Sequence, residues 1–329
     1  MKENNSGISC DVFEATETYH HDVILKDISE TSYIWENHEN IPFDELIISW
    51  NAMRPQYGGF DISVSVKLGQ WTPWMSYAFW NAQGQQSGNN IFKKDSQVRI
   101  KEDIVAILNE KQAFGFRIRI QSIGEATLDE FYSLHVCASR LSDYHFNEKC
   151  TFNQAVDLQV PLVSQLTLPH PRHRDMCSPT STSAMVSFLM EKNRIDPIFF
   201  ASQARDEASD IYGNWVLNTA QASSILGKNW CCWVQRLKSF DEIYKQLAIG
   251  IPVVVSIKGP LRGSSLPPNS EGHLILVKGF LPKENKVLCM DPAFPCDAET
   301  NVSYHLKDFI NAWSRRQYVA YLVQKRSLL

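Results

Sequence analysis

The sequence predicts an α+β protein in which an antiparallel β-sandwich precedes a second domain of mixed helices and strands. Residues up to about 155 are predicted to form strands, because several segments alternate polar and apolar side chains with a period of two. After a break near residues 140–157 the apolar period becomes that of helices, and continuous apolar strands follow. The chain of 329 residues is long enough for two domains. We therefore expect domains at 1–150 and 156–329 and predict that the second folds alone.

The strand prediction depends on segments in which every second side chain is apolar. FDISVSVKL (60–68) and FGFRIRI (114–120) each place their apolar residues on one sheet face and leave Arg117 and Arg119 facing water. ELIISWNA and residues 130–138 add strands, and turn residues at 55–59 and 84–90 separate them. Short alternating strands with such turns are typical of an antiparallel sandwich.

The segment WTPWMSYAFWN (71–81) is rich in aromatic residues and allows two interpretations. Its members are Trp71, Trp74, Tyr77, Phe79 and Trp80. They can form a platform that stacks on sugar rings or on a partner. They can equally be core and inter-domain packing, because aromatic side chains carry much of the buried area of any domain. Packing is the favoured interpretation.

The second half contains clear helix and strand signals. An apolar helical segment spans 178–192, and SFDEIYKQLAIG carries a capping box of Ser239 and Glu242 with Gly250 as a stop. Apolar strands follow in IPVVVSIK, in HLILVKGF (273–280) and in KVLCMDP (286–292). The order of helices first and sheet second predicts an α+β domain.

Composition excludes several functions. A net charge of −4 offers phosphates no surplus of cations, so we expect no nucleic-acid partner. No apolar run reaches 18 residues, so we expect no membrane span. The first residues, MKENNSGISCDVFEATE, lack the apolar region of a secretory signal, so we expect a cytoplasmic protein or the mature form of an exported one.

Metal and cofactor sites have little support. The eight cysteines form no C-x-x-C pair and are too sparse for a disulfide scaffold, although a Cys289–Cys296 bridge fits an exported protein. His170 and His173 have no Cys or carboxylate at metal-ligand spacing. Nucleotide-binding and zinc-protease motifs are absent from the sequence, so we expect no cofactor and no metal.

The strongest candidate for chemistry is Cys177 in RHRDMCSPTSTSAMVSFLM. Pro179 suits the first turn of a helix, which places Cys177 at the helix N-terminus. Unpaired amides and the helix dipole favour a thiolate there and lower the thiol pKa. A buried structural cysteine is the alternative.

A thiolate nucleophile needs a base and a group that orients the base. His273 opens a buried-looking strand, and the chain then doubles back to Asp291. Both numbers are odd, so a connecting loop with an odd residue count puts the two side chains on one sheet face. Gln165, twelve residues before Cys177, is the candidate for a second oxyanion donor; a surface amide is its alternative.

Together these motifs resemble the C39-like group of bacterial papain-type cysteine peptidases, relatives of the peptidases that cut double-glycine leaders from bacteriocins. The matching stretches run in family order from 157 to 329: VPLVSQ, CSPTSTSAMVSFL, GNWVLNTAQASSILG, IGIPVVVSI, GHLILVKGF, MDPA and the closing LKDFINAW (306–313). The strand-rich half, with ISWNA and a W-x-P-W stretch, also resembles the leading domain of exported members. Many relatives carry Cys-Gly-Pro where this chain has Cys177-Ser178-Pro179.

The resemblance implies a papain-like fold and a set of site residues. It makes Cys177 the nucleophile, His273 the general base and acid, Asp291 the residue that orients the imidazole and Gln165 the oxyanion donor. Gly213, Asn214, Trp215 and Asn218 match a family motif, from which we expect Asn214 and Trp215 to contact substrate.

We therefore expect a thiol hydrolase, most simply a cysteine peptidase acting on a peptide or protein. The same residues can serve an amidase, a deamidase or an acyltransferase, for example on cell-wall peptides, because the fold does not choose among them. A non-catalytic module that binds a glycan or a cell-wall polymer is the alternative from another class. The N-terminal domain is the expected place for such a ligand.

Overall fold

The computed structural model describes residues 15–27, 29–88, 96–191, 194–265 and 270–329. Within them the N-terminal part contains strands and no α-helix. In chain order the strands are β1 (Thr16–Asp22), β2 (Ser32–Asn37), β3 (Glu45–Ala52), β4 (Gly59–Leu68), β5 (Gln70–Trp71), β6 (Met75–Asn81), β7 (Gln85–Ser87), β8 (Val98–Lys101), β9 (Ile104–Ile107), β10 (Phe116–Ile123) and β11 (Phe131–Ser139).

These strands form the two antiparallel sheets of the predicted sandwich. One sheet has the order β1-β11-β3-β9-β8; the other has the order β2-β10-β4-β6-β7, with β5 beside β4. Buried aromatic rings pack between the sheets. The ring centres of Trp50 in β3 and Trp80 in β6 are 6.1 Å apart, and those of Phe60 in β4 and Phe131 in β11 are 5.3 Å apart. The fold class predicted for this half is confirmed.

Two details of the strand prediction are wrong. Phe114 was expected on the apolar face, but it precedes β10 and is exposed. Arg117 and Arg119 were expected to face water, but their guanidinium groups stack on tryptophan rings. Arg117 Cζ lies 4.7 Å from the centre of Trp71 and 4.6 Å from that of Trp74. The cation–π contact keeps both residues partly covered on an otherwise polar sheet face.

The aromatic segment 71–81 is accordingly divided between core and surface. Tyr77 and Trp80 are fully buried in the sandwich, as the packing interpretation expects. Trp71 and Trp74 are only half-buried and form the surface stack with the arginines. Neither interpretation alone describes the segment.

The C-terminal part consists of one seven-stranded sheet and five α-helices in the described residues. The helices are α1 (Cys177–Leu189), α2 (Pro197–Ala204), α3 (Trp215–Leu226), α4 (Phe240–Ala248) and α5 (Leu306–Ser314). The strands are β12 (Val156–Asp157), β13 (Trp230–Arg236), β14 (Val253–Ile257), β15 (His273–Leu281), β16 (Lys286–Met290), β17 (Asn301–His305) and β18 (Val319–Lys325).

The sheet has the order β13-β18-β14-β15-β16-β17, with β12 beside β15. The predicted α+β class is confirmed, and so is the capping box of Ser239 and Glu242 at the start of α4. The expected order of helices first and sheet second is wrong. After α5 the chain returns as β18, which lies between β13 and β14 in the sheet. Position 192 of the predicted helix and positions 89 and 90 of a predicted turn lie outside the described residues.

The two parts meet where β13, an edge strand of the C-terminal sheet, lies against β3 and β11. The outward N–H groups of Cys232 and Val234 donate to Asn51 Oδ1 (2.7 Å) and Ser49 Oγ (3.0 Å). Side chains of the sandwich thus satisfy a sheet edge that would otherwise be open for pairing.

A buried ion pair crosses the same boundary. Arg236 Nη2 lies 2.6 Å from Glu45 Oε1, and both side chains are nearly inaccessible to solvent. One continuous cluster of buried apolar residues also runs from the sandwich into α1, α3 and β13. This shared core argues against the independent folding of residues 156–329 that the break in periodicity suggested.

Candidate active site

Cys177 is the first residue of α1 and is half-buried. The Ser and Thr residues at 178 and 180–183 are buried, and all but Thr180 use their side-chain hydroxyls in hydrogen bonds. Ser181 Oγ donates to the backbone carbonyl of Leu274 at 3.0 Å, and Ser178 Oγ lies 2.9 Å from Tyr321 Oη. Because Leu274 follows His273 directly, the Ser181 bond fixes the start of α1 against the start of β15. This explains why a polar sequence occupies a buried helix.

His273 and Asp291 contact each other beside this helix start. His273 Nε2 lies 2.7 Å from Asp291 Oδ1, and both residues are buried. The carboxylate also accepts the Tyr304 hydroxyl on Oδ2 (2.6 Å) and the Ala293 backbone N–H on Oδ1 (3.0 Å). Because Nε2 faces Asp291, Nδ1 is the ring nitrogen left for Cys177. The structure thus brings together the three predicted residues.

A β-bulge, rather than the length of the loop, puts His273 and Asp291 on one face. Leu281 pairs with Lys286, so the loop has four residues, an even number, and the predicted odd loop is wrong. The register then shifts between Val277 and Gly279, after which Leu276 pairs with Met290. Continued by one residue, this register sets Asp291 opposite Ile275, on the face of His273. Without the extra residue every later side chain would change face.

Gly279 allows this bulge to pack. A Cβ at this position would lie 2.3 Å from the backbone carbonyl oxygen of Val156, so no other residue permits this approach of β12. The bulged residue, Lys278, is buried and forms an ion pair with Asp157. The Lys-Gly pair in GHLILVKGF therefore has a geometric role that alternation alone did not show.

The electrostatics favour a thiolate–imidazolium pair. Burial raises the pKa of the Cys177 thiol. The hydrogen bond and charge of His273, together with the N–H groups of Leu274 and Ser178, lower the pKa by more than burial raises it, so the thiol pKa lies below its usual value. Burial lowers the pKa of His273, yet the charge and hydrogen bond of Asp291 and the contact with Cys177 raise it to about 10.

Asp291 remains ionised for complementary reasons. Burial raises its pKa, but the charge and hydrogen bond of His273 and the Tyr304 hydroxyl bring the pKa below its usual value. A nucleophilic thiolate, a protonated imidazole that can give its proton away and a fixed carboxylate are the groups needed for acyl transfer through a thioester.

Gln165 is buried next to the segment that leads into Cys177. Its Nε2 donates to the backbone carbonyls of Arg174 (2.7 Å) and His173 (3.2 Å), while Oε1 has no hydrogen-bond partner among the described residues. Its backbone N–H donates to Pro292 O at 2.9 Å. Gln165 therefore joins the Cys177 loop to the residue after Asp291, and its amide N–H groups are occupied.

A cleft of about 650 Å³ opens at Cys177, and Asn214 and Trp215 line it. Asn214 caps α3: its Oδ1 accepts the Leu217 N–H (3.1 Å) and its Nδ2 donates to Asp206 (2.9 Å). Trp215 is 5% exposed. Of the other two residues in the family motif, Gly213 also lines the cleft, and Asn218 is buried with its Nδ2 bonded to backbone carbonyls.

The sequence analysis did not identify three features of the site. Tyr304 holds the second oxygen of Asp291, Arg316 lines the cleft, and the turn from Lys101 to Ile104 brings the N-terminal part to its wall. These residues are far from Cys177 in the chain and belong to no local motif. A single sequence therefore carried no signal for them.

The bridge between Cys289 and Cys296 that the sequence allows does not form in the structure. Both residues are free thiols, Cys289 buried and Cys296 partly exposed, and Cys10 lies outside the described residues. His170 and His173 belong to no group of three or more metal-ligating side chains in the described part of the chain. None of the helices described there is both long and apolar enough to cross a bilayer.

The α+β fold and a half-buried cysteine at a helix start, facing a histidine–aspartate pair, define the C-terminal part as a papain-type, C39-like domain. A family model described as Peptidase_C39 like family matches residues 157–321, half of the chain, and a model described as Peptidase C39 N-terminal domain matches residues 30–130. The chain therefore belongs to the Peptidase C39-like family, and this membership indicates a function of the cysteine-peptidase type. No curated protein and no solved structure gives a significant match.

Proposed function

We propose that the protein is a thiol hydrolase, a cysteine peptidase that cleaves amide bonds through Cys177, His273 and Asp291. The observation that carries this proposal is the bonded pair of Asp291 and His273 beside a thiol of lowered pKa at the start of α1. A half-buried thiol beside such a pair is costly to maintain for structure alone, because burial opposes the charge of every member.

In the proposed reaction the Cys177 thiolate attacks the substrate carbonyl carbon and forms a tetrahedral intermediate. The His273 imidazolium gives its Nδ1 proton to the leaving nitrogen, so that an amine departs and a thioester remains. Neutral His273 then takes a proton from water, which attacks the thioester and releases the acid. Asp291 holds the ring and stabilises its charged form in both steps.

The oxyanion needs two donors, and the Cys177 backbone N–H at the first helical position supplies one. We assign the other to Gln165 Nε2. Its longer bond, 3.2 Å to the carbonyl of His173, is the one that can yield to a developing negative charge. For the cleft residues we assign substrate contact to the Trp215 ring. Asn214 shapes the cleft by capping α3, because its amide is already engaged.

The domain limits that we propose are 1–150 for the sandwich and 156–329 for the peptidase domain. An amidase, a deamidase or an acyltransferase acting on cell-wall peptides would share every step as far as the thioester. The half-buried Trp71 and Trp74 favour one additional role, the binding of a glycan or cell-wall polymer by the sandwich. Retention on purified cell walls that is lost in Trp74→Ala tests that role separately.

The test of the proposed function is modification by iodoacetamide at mildly acidic pH, followed by mass spectrometry. We expect Cys177 to react first, because burial raises the thiol pKa of Cys231 and Cys232, whereas that of Cys177 is lowered. Cys296→Ala, which removes another partly exposed thiol, is the matched control for Cys177→Ala.

Digestion of a peptide library and of cell-wall fragments then identifies the reaction. New amine and acid ends indicate a hydrolase, and new amide products indicate a transferase. Earlier labelling of another cysteine, or turnover that survives in Cys177→Ala, would refute the assignment.

A further inference from the structure

The N-terminal part supplies one wall of the cleft that contains Cys177. This wall is the turn between β8 and β9, which includes Asp103. The backbone carbonyl of Asp103 accepts the hydroxyl of the buried Tyr77 at 2.7 Å, and its carboxylate accepts the backbone N–H of Trp215 at 2.6 Å. The turn is therefore fixed from the sandwich core on one side and at the start of α3 on the other.

Arg316 stands in the same cleft with its guanidinium group held in place. Its Nε donates to Ser256 Oγ at 3.2 Å, and its Cζ lies 5.0 Å above the ring of Trp215. A Cβ at Gly272, the residue before His273, would lie 3.7 Å from Cζ. The charge therefore lies next to the catalytic strand. Among the described residues neither terminal nitrogen of Arg316 makes a hydrogen bond, and no carboxylate lies within 4.0 Å of them.

The balance of charge around the cleft leaves this cation largely uncompensated. Two of the lining carboxylates, Asp175 and Glu271, are paired with Arg172 (2.9 Å) and Lys258 (3.2 Å). Burial raises the pKa of Asp103 to about 7, so at neutral pH it carries only part of a negative charge.

Arg174 adds a second cation three residues before Cys177. It is exposed, lines the cleft and forms no ion pair within the described residues. On the sandwich wall the charges of Lys101 and Glu102 offset each other. The cleft therefore carries a surplus of positive charge close to the thiol.

We propose that the Cys177 cleft takes amide substrates that carry a carboxylate close to the scissile bond, and that Arg316 binds this carboxylate. This proposal rests on the proposed function, because it names the substrate class of the same site. A guanidinium group with two free terminal nitrogens matches the two oxygens of a carboxylate, and its stacking on Trp215 pre-organises that contact. Asp103, from the other part of the chain, sets how strongly the site attracts the anion.

Two alkylating agents of nearly equal size, iodoacetate and iodoacetamide, test this without a known substrate. Each forms a bond between Cys177 Sγ and its CH₂ carbon and releases iodide, but only iodoacetate carries a carboxylate. The rates are measured on the full-length protein at pH 7.5 and low salt. The ratio of the two rates is compared with that of N-acetylcysteine amide.

We expect a ratio well above that of the reference thiol and a drop of about tenfold in Arg316→Gln. That factor corresponds to one charge acting across about 10 Å at an effective dielectric constant of about 20. Arg174→Gln, a change at an exposed site, should lower the ratio about threefold, because solvent screens its charge. Asp103→Asn should raise the ratio, because it removes a negative charge that acts on Arg316. The amide oxygen can still accept the Trp215 N–H, so the turn should keep its position. Lys307→Gln, on the exposed start of α5, should leave it unchanged.

The iodoacetamide rate separates the two hypotheses. If Cys177 reacts with iodoacetamide no faster than the reference thiol, the proposed function fails and this proposal with it. If iodoacetamide reacts rapidly but the ratio is unchanged in both Arg316→Gln and Arg174→Gln, the carboxylate site alone is refuted.

Paired peptides then identify the source of the carboxylate. Glu is compared with Gln at each position near the cleavage site, and free C-termini are compared with amidated ones. A preference for one anionic member that weakens in Arg316→Gln supports the site. Equal cleavage of every pair overturns it.

Discussion

Replacing Asp291 by asparagine removes one charge from the active site and leaves its shape nearly unchanged. The amide oxygen can still accept from His273 Nε2, which now lies 2.7 Å from Asp291 Oδ1, and from the Ala293 N–H. Charge centres about 4 Å apart interact by about 4 kcal/mol at an effective dielectric constant of about 20. That energy equals about three pKa units. The pKa of His273 should therefore fall from about 10 towards about 7.

The assay is kcat/KM against pH on the best peptide from the library. The acidic limb reports the thiol of Cys177 and the alkaline limb reports His273. In Asp291→Asn the alkaline limb should move down by about three units while activity remains measurable. Asp291→Ala should be slower than Asp291→Asn, because it also loses the orientation of the ring and leaves the Tyr304 hydroxyl without its acceptor.

Thermal melting gives an independent check on the sign. The pKa of His273 is raised on folding, so its contribution to stability is full below about 6.5 and disappears as pH rises through about 10. Wild-type protein should lose stability across that window, and Asp291→Asn should lose much less. If Asp291→Asn keeps the wild-type alkaline limb, Asp291 only stabilises the Asp-Pro turn and the reasoning is refuted.

Four further predictions concern the support of the site and of the fold. Gln165→Ala should lower kcat about 10²–10³-fold, as for other lost oxyanion donors, and leave the iodoacetamide rate of Cys177 unchanged; equal loss of both would indicate a role in folding only. Tyr304→Phe should lower kcat a few-fold and the free energy of unfolding by about 1 kcal/mol in urea titrations, and an unchanged kcat would remove Tyr304 from the site. Glu45→Gln should lower the free energy of unfolding by about 3 kcal/mol in the same titrations, because it leaves Arg236 buried without its charged partner. Residues 156–329 expressed alone should be insoluble; a soluble fragment that reacts with a thiol probe would contradict the shared core.

The sequence predicted those parts of the site that local rules govern. Pro179 located the start of α1, and with it Cys177, because proline is tolerated only in the first turn. The apolar run after His273 predicted β15. The contact between His273 and Asp291 was expected on a false premise, since it depends on a bulge at Lys278. A register shift of one residue depends on tertiary packing, which a hydrophobic pattern does not record.

The N-terminal part shows why its role at the site stayed hidden. In β3 the residues Leu46, Ile48 and Trp50 face the sandwich core, while Ser49 and Asn51 lie on the other face, which in an antiparallel sheet commonly faces water. All of them are buried, because the polar face lies against another sheet. An alternating pattern is the same whether its polar side chains meet water or meet the backbone of a strand.

The groups proposed for the chemistry all lie in the C-terminal part, whereas one wall of the cleft comes from the N-terminal part. The thiol, the imidazole and the carboxylate are placed by α1, β15 and the end of β16, which contact one another directly. The opposite wall of the cleft comes from the β8–β9 turn, and Tyr77 and the Trp215 N–H fix that turn to both parts. A change in the turn can therefore alter the charge that a substrate meets without moving Cys177 relative to His273. Because the charge of Asp103 acts on Arg316 across this boundary, the proposed carboxylate site depends on the contact between the two parts.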